Sequence, residues 1–425
     1  MNKQAIKYFK ADLAAKSPVK LSSGADGLTD SDVIVDACNL PFVPGTTICG
    51  VTRHYMAELH EESFVNRWFG RTGGRDDPGS ESLVRFHDAF PIGKPSVSSR
   101  DGVKLDEHKT AVANHKYDYQ VVDAGARFTM RIEVLYDPDT ERGEAEALLS
   151  EIAQGFQSGE VRIGGKASRG FGEMELENLR SLDIDLRTQE GVDAYVEFDW
   201  ERSPFEDFEA SGVSQGAFES PVHVPLEVVS SLMIRDYGSM APSGHEGKFV
   251  DAETLKDAKG RPVVPGTSWA GAFRGHMLKV LKAAKYDEAN GWGDTTEGFL
   301  DRVFGSVGGP RAIASKVLFS ESSVEGAVQL NSTRNAIDRF TGGVADQKLF
   351  TNRLSYGGTT ELVIRWRKDF GGGEHDGDDK RLFESLVEAC VADLCDGMLA
   401  VGGMTATGSG VFRKRAIDEG EGAYV

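Results

Sequence analysis

Two hydrophobic patterns alternate along this chain, and they occur twice in the same order. AIKYFKADLAAK (residues 5–16) and HVPLEVVSSLMIR (residues 223–235) read as extended segments. Each is followed by a loop rich in Gly and Asp, then by a short apolar strand, FVPG (42–45) or VVPG (263–266), that runs into a helix. Pro-Gly supplies the turn there, and the next threonine, Thr46 or Thr267, is placed to cap the exposed N–H groups. RFTMRIEV (127–134) and TELVIRW (360–366) alternate with the period of a strand. Leu148, Leu149, Ile152 and Phe156 in one half, and Leu386, Cys390 and Leu394 in the other, keep helical spacing and lead to Gly-rich loops. The pattern predicts an α+β fold: two tandem ferredoxin-like units, each β-α-β-β-α-β.

The repetition extends to residue identities. PGTTICGVTR (44–53) and PGTSWAGAFR (265–274) share Pro, Gly, Thr, Gly and Arg at an offset of 221 residues. At that same offset Asp30 faces Asp251, and Asp36 faces Asp257. A middle block (103–125 and 335–357) matches at an offset of 232, with Lys116 facing Lys348 and Gly125 facing Gly357. GEVRIGGKASRGFG (159–172) matches GMLAVGGMTATGSG (397–410) at an offset of 238. Offsets that drift upward between blocks in fixed order are what loop insertions produce in a duplicated domain. The reading is a first domain over 1–186, a linker over 187–221 rich in Glu, Asp, Ser and Gly, and a second domain over 222–425.

Composition modifies this picture in three ways. Glycine is enriched, 50 of 425 residues, against an ordinary share of about 7%, and its clustering signals sharp turns or close backbone approach. The formal charge of −19 argues against general nucleic-acid affinity, which draws on Lys and Arg, but leaves room for basic groups gathered on one face. The four cysteines (Cys38, Cys49, Cys390, Cys395) lack zinc-site spacing. No apolar run reaches membrane-spanning length and the N-terminus lacks a signal-like apolar core, so a cytoplasmic protein without a membrane partner is expected.

The PG-[TS]-x-x-x-G-x-x-R block, the middle block ending in NAIDRFTGGVADQKLF, and the late loop GGKASRGFGEMEL together resemble the RAMP (repeat-associated mysterious protein) superfamily, and within it the backbone subunits of type III CRISPR effectors. The resemblance covers most of the chain apart from the linker and termini. It implies RRM-like (modified ferredoxin-like) palms with protruding thumb hairpins, here two fused repeats. It implies guide RNA (crRNA), target RNA and other subunits of a CRISPR ribonucleoprotein as partners. It further implies an antiviral role in which each thumb displaces one base of the guide–target duplex and a nearby aspartate cuts the target.

Carried onto this sequence, the cleaving aspartates are Asp30 in TDSDVIVD (29–36) and Asp251 in VDAETLKD (250–257), with Asp36 and Asp257 as structural companions. Asp26, Asp32 and Glu253 are neighbouring alternatives. A loop carboxylate suits Mg²⁺ or another divalent metal, which takes few protein ligands and keeps waters and phosphate oxygens. For RNA binding, Gly164, Gly165, Lys166, Ser168, Arg169 and Gly170 combine backbone N–H groups with cations. The second loop offers Gly402, Gly403 and Thr405 without those two cations, so the first loop is expected to bind more strongly. Arg53, Arg274, Lys116 and Lys348 are further phosphate candidates, against the plain alternative of surface ion pairs. Two other readings stay open: a non-cleaving RNA-binding scaffold, and a guide-processing endoribonuclease using a histidine such as His54 or His276.

Overall fold

The computed structural model describes residues 3–24, 29–74, 77–105, 111–211, 216–236, 250–289, 294–306, 312–370 and 376–416. The chain divides into two units. One comprises 1–98, 120–167 and 171–217; the other comprises 99–119, 168–170 and 218–425.

In the first unit, β1 (Ala5–Ala15) is followed by α1 (Gly45–Leu59), α2 (Glu62–Phe69) and β2 (Val84–Phe86). Then come β3 (Val97–Leu105), β4 (Ala111–Val122), β5 (Arg127–Tyr136), α3 (Arg142–Gln157), β6 (Met174–Asp185) and α4 (Gln189–Val196). The core sheet order is β6-β1-β5-β2, antiparallel throughout, the arrangement of a ferredoxin-like β-α-β-β-α-β unit; two short strands extend it, Glu206–Asp207 beside β6 and Phe90–Pro91 beside β5. Strict alternation in β5 sends Phe128, Met130, Ile132, Val134 and Tyr136 into the core, where Leu148, Leu149, Ile152 and Phe156 of α3 meet them. Each such large apolar side chain contributes roughly 1.5–3 kcal/mol on burial. β3 and β4 form a separate hairpin.

The second unit repeats the plan with β7 (Val222–Val228), α5 (Gly266–Ala283), α6 (Thr296–Phe304) and β8 (Val317–Phe319). The hairpin β9 (Val328–Ile337) and β10 (Val344–Tyr356) follows, then β11 (Thr359–Trp366), α7 (Asp376–Cys395) and β12 (Phe412–Lys414). The order β12-β7-β11-β8 is the same topology. Trp269, Phe273, Phe319, Ile364, Phe383 and Phe412 are fully buried in its core. The extended segment at 223–235 breaks after Val228, because Ser231 and Leu232 leave the sheet and pair with Tyr356 and Ser355 of β10. Residues 99–119 of the first hairpin belong to this unit, where Arg100 and Glu321, both buried, form two bonds of 2.7 and 3.2 Å. No helix among the described residues is long and apolar enough to cross a membrane.

The shared Pro-Gly-Thr has a steric cause. A Cβ on Gly45 would lie 2.4 Å from the Phe86 carbonyl oxygen, and one on Gly266 would lie 2.2 Å from that of Phe319. Each first helix therefore starts directly against the second strand of its sheet. The threonines do not cap: Pro44 and Pro265 are the N-cap residues, and neither helix start has a side-chain cap. In the first unit the Gly45 N–H instead donates to Asp88 Oδ1 at 2.7 Å, a carboxylate supplied from beyond β2 that sequence proximity does not reveal. Gly45→Ala and Gly266→Ala should each destabilise the protein by about 1–3 kcal/mol through overpacking. Chemical denaturation midpoints measure this, with Gly50→Ala, where an added Cβ meets open space inside α1, as the control that should stabilise by up to about 1 kcal/mol.

Candidate RNA-processing site

In each repeat an acidic loop follows the first strand, and its residues separate into three roles at equivalent positions. Asp36 closes a turn by accepting the N–H groups of Cys38 and Leu40 at 2.8 and 2.9 Å. Asp257 does the same for Lys259 and Arg261, both at 2.9 Å, and adds the Arg261 guanidinium at 2.7 Å. These two aspartates shape the entry to the first helix.

Asp32 is buried and accepts the Thr29 N–H and hydroxyl at 2.9 and 2.7 Å. Its counterpart Glu253 pairs with Lys256 at 3.0 Å and Arg353 at 3.4 Å. Internal partners thus hold both carboxylates. Asp26 lies outside the described residues. Asp30 and Asp251, by contrast, are exposed to solvent. The sorting leaves one solvent-facing aspartate at the same place in each repeat.

Both exposed aspartates sit at the root of a hairpin. The Asp251 N–H donates to the Thr351 carbonyl at 2.8 Å, and the Thr351 N–H donates back to Asp251 Oδ2 at 2.6 Å. Ala252 and Glu253 then pair in parallel with Asn352 and Arg353 of β10. In the first repeat the Gln120 N–H of β4 donates to the Ser31 carbonyl at 3.0 Å, and the Gln120 side-chain oxygen accepts the Val33 N–H at 3.1 Å. Ser31 and Ala252 are equivalent, as are Gln120 and Asn352. Sequence reasoning passed over Gln120, Thr351 and Asn352; the amide side chain recurring at an offset of 232 was the available signal.

The Gly-rich loops are the same structure built twice. Gly164 and Gly402 have φ of +85° and +96°, Lys166 and Met404 +63° and +59°, and Gly170 and Gly408 both +86°. Ala167–Arg169 and Thr405–Thr407 each form one 3₁₀ turn. The Gly165 N–H donates to the Lys20 carbonyl at 3.0 Å and the Gly403 N–H to the Met233 carbonyl at 2.7 Å. Those N–H groups anchor the loop to the segment after the first strand, so anion contact in the first loop falls chiefly to its side chains. Arg169 is exposed, and Lys166 and Ser168 are half-buried. Thr405 is half-buried, and nothing cationic stands beside it within its own turn.

Arg53 reaches Gly70 O at 2.6 Å and Asn66 Oδ1 at 2.8 Å, and Arg274 reaches Glu297 and Asp301, both at 3.1 Å. Each ties the first helix of its repeat to the helix that follows, which accounts for the recurring arginine without a ligand. Lys116 is exposed on β4 with its Nζ 3.5 Å from Asp101, and Lys348 is exposed on β10. His276 bonds Asp393 at 2.6 Å, while His54 lies 3.7 Å from Glu58.

No group of three or more His, Cys, Asp or Glu able to hold a metal occurs among the described residues.

The family model of the RAMP superfamily matches residues 12–175 and 219–413, one match for each repeat. No curated protein sequence matches the chain. Covering both repeats and most of the residues, the family match establishes that the chain belongs to the RAMP superfamily, whose proteins are generally CRISPR-associated RNA-binding subunits.

Proposed function

We infer that this chain is a fused pair of guide-RNA-binding backbone units of a type III CRISPR effector, and that Asp30 and Asp251 cleave guide-paired target RNA. The observation that carries the reading is the sorting of the acidic loops. At three equivalent positions, two carboxylates are buried or half-buried and shape the loop, and the third is the one exposed to solvent, at a hairpin root.

The hairpins support the same reading as thumbs. β9 and β10 present Ile337, Leu349 and Phe350 to solvent, and Phe340 at the turn is 99% exposed. Arg334, Arg339 and Lys348 lie among them. Exposed apolar side chains flanked by cations suit a wedge that unstacks a base while basic groups meet the backbone. The Asp338 carboxylate holds the turn by accepting the Phe340 and Thr341 N–H groups at 2.9 and 2.8 Å.

In the mechanism, guide and target pairing carries sequence choice, and the chain reads backbone and shape. The hairpin holds one target nucleotide out of the stack, and the adjacent loop carries the aspartate. Asp30 and Asp251 would each hold a divalent metal through one carboxylate; the metal, when bound, supplies charge neutralisation at the scissile phosphate. The 2′-OH next to that phosphate attacks in line, forming a 2′-O–P bond as the P–O5′ bond breaks. The chain's part is mainly to fix this geometry. One observation favours a scaffold role for the second loop: Asp251 already receives the Thr351 N–H on one oxygen.

Cleavage of labelled target RNA by the guide-loaded complex tests the assignment. Asp30→Ala and Asp251→Ala should each remove one product band that EDTA also removes. If target binds and neither substitution alters any band, the chain is a scaffold; cleavage that persists in EDTA points to histidine chemistry instead. RNA retention tests the loops. Lys166→Ala with Arg169→Ala should flatten the plot of log affinity against log salt by about 1.4, at roughly 0.7 per lost contact to a single strand. Thr405→Ala should leave the slope unchanged.

A further inference from the structure

The outer face of the first repeat's sheet, opposite the helices, carries a row of three cations across three neighbouring strands. Arg131 on β5 pairs with Lys10 on β1, and Lys10 pairs with Arg180 on β6. Like charges directly opposite on a sheet are destabilising unless something anionic covers them. Two residues along β1 from Lys10, on the same face, stands Tyr8.

The cover is the segment 197–207, EFDWERSPFED, with five carboxylates and three aromatic rings; its end, Glu206–Asp207, pairs edge-on with β6, and the next residue, Phe208, packs against Phe9 on the helix side. Each cation of the row has a partner in it. Lys10 Nζ donates to the Trp200 carbonyl at 2.6 Å, Arg131 to Glu201 at 2.7 Å, and Arg180 lies 3.6 Å from Asp207. The rings fill the space between. Phe198 stacks on Tyr8 with centroids 3.8 Å apart, Trp200 lies 5.4 Å beneath the Arg131 guanidinium, and Phe205 lies 4.3 Å beneath Lys10 Nζ. Trp200 and Phe205 stack in turn at 5.8 Å. Alternating anions and stacked rings on cations and a tyrosine are the chemistry by which a single-stranded nucleic acid occupies a protein face.

The fold itself does not require this arrangement. In the second repeat the pair corresponding to Lys10 and Arg131 is His223 and Val363. The charged row is a property of the first repeat alone.

We propose that this sheet face is a binding site for single-stranded RNA, and that residues 197–205 are its internal occupant, displaced when RNA binds there. The site lies on the opposite side of the sheet from the helices and is separate from the acidic loops and the Gly-rich loops. It is independent of the cleavage reading, since the occupant's rings and carboxylates stand in for bases and phosphates whatever Asp30 does.

The test uses the full-length, guide-free protein and a fluorescein-labelled oligouridine read by anisotropy. Phe198→Ala with Trp200→Ala should bind the probe about tenfold more tightly than the parent, on the scale of one recovered base stack. Adding Lys10→Glu should cancel that gain. The proposal falls if the double variant unfolds cooperatively yet binds as the parent does, or if the gain survives Lys10→Glu. Should the double variant not fold, Ser181→Cys with Glu206→Cys decides the matter, because these residues are cross-strand partners. Forming that disulfide should weaken probe binding relative to the reduced protein; equal affinities overturn the proposal.

Discussion

Everything near the acidic loops depends on one close approach, that of a helix start to a strand carbonyl. Gly45 lies against Phe86 and Gly266 against Phe319 with no room for a side chain. That approach fixes where α1 and α5 begin, and hence where the preceding Asx turns of Asp36 and Asp257 must end. The acidic segment just upstream lies against the hairpin. Its backbone pairs there, through Ser31 with Gln120 and through Ala252 with Asn352. The exposed aspartate is one residue before that pairing. A glycine with no visible chemistry thus sets the position of a carboxylate fifteen residues upstream in each repeat.

Much of this was legible in the sequence because duplication makes local rules visible. The Pro-Gly-Thr block, the strand alternation at 127–134 and the Gly-rich loops each obey short-range geometry, and each recurs in the structure. What escaped was set by long-range partners. The first-unit helix cap comes from Asp88, more than forty residues after Gly45, so nearby threonines were the natural but mistaken choice. The internal partners of Arg53 and Arg274 were equally invisible in one dimension; they are Gly70 and Asn66 for the first, Glu297 and Asp301 for the second. The segment 187–221 read as polar linker because six carboxylates between 197 and 209 mask four rings, three packed on the outer sheet face and Phe208 against Phe9.

The net charge of −19 has a similar explanation. Carboxylates at 32, 36, 253 and 257 are bound to backbone N–H groups, hydroxyls or nearby cations, where they do structural service. Composition counts these acids alike, whereas the structure pairs Glu253 and Asp257 with cations and sets Asp32 and Asp36 on neutral donors. The two loops also show how duplicates diverge without losing shape. Lys166 and Met404 share a left-handed backbone, so the same turn carries a cation in one copy and a thioether in the other.

The reciprocal bonds between Asp251 and Thr351 join a loop to a hairpin strand. Whatever shifts β10 at Thr351 shifts the Asp251 carboxylate with it, so hairpin and acidic loop form one mechanical element.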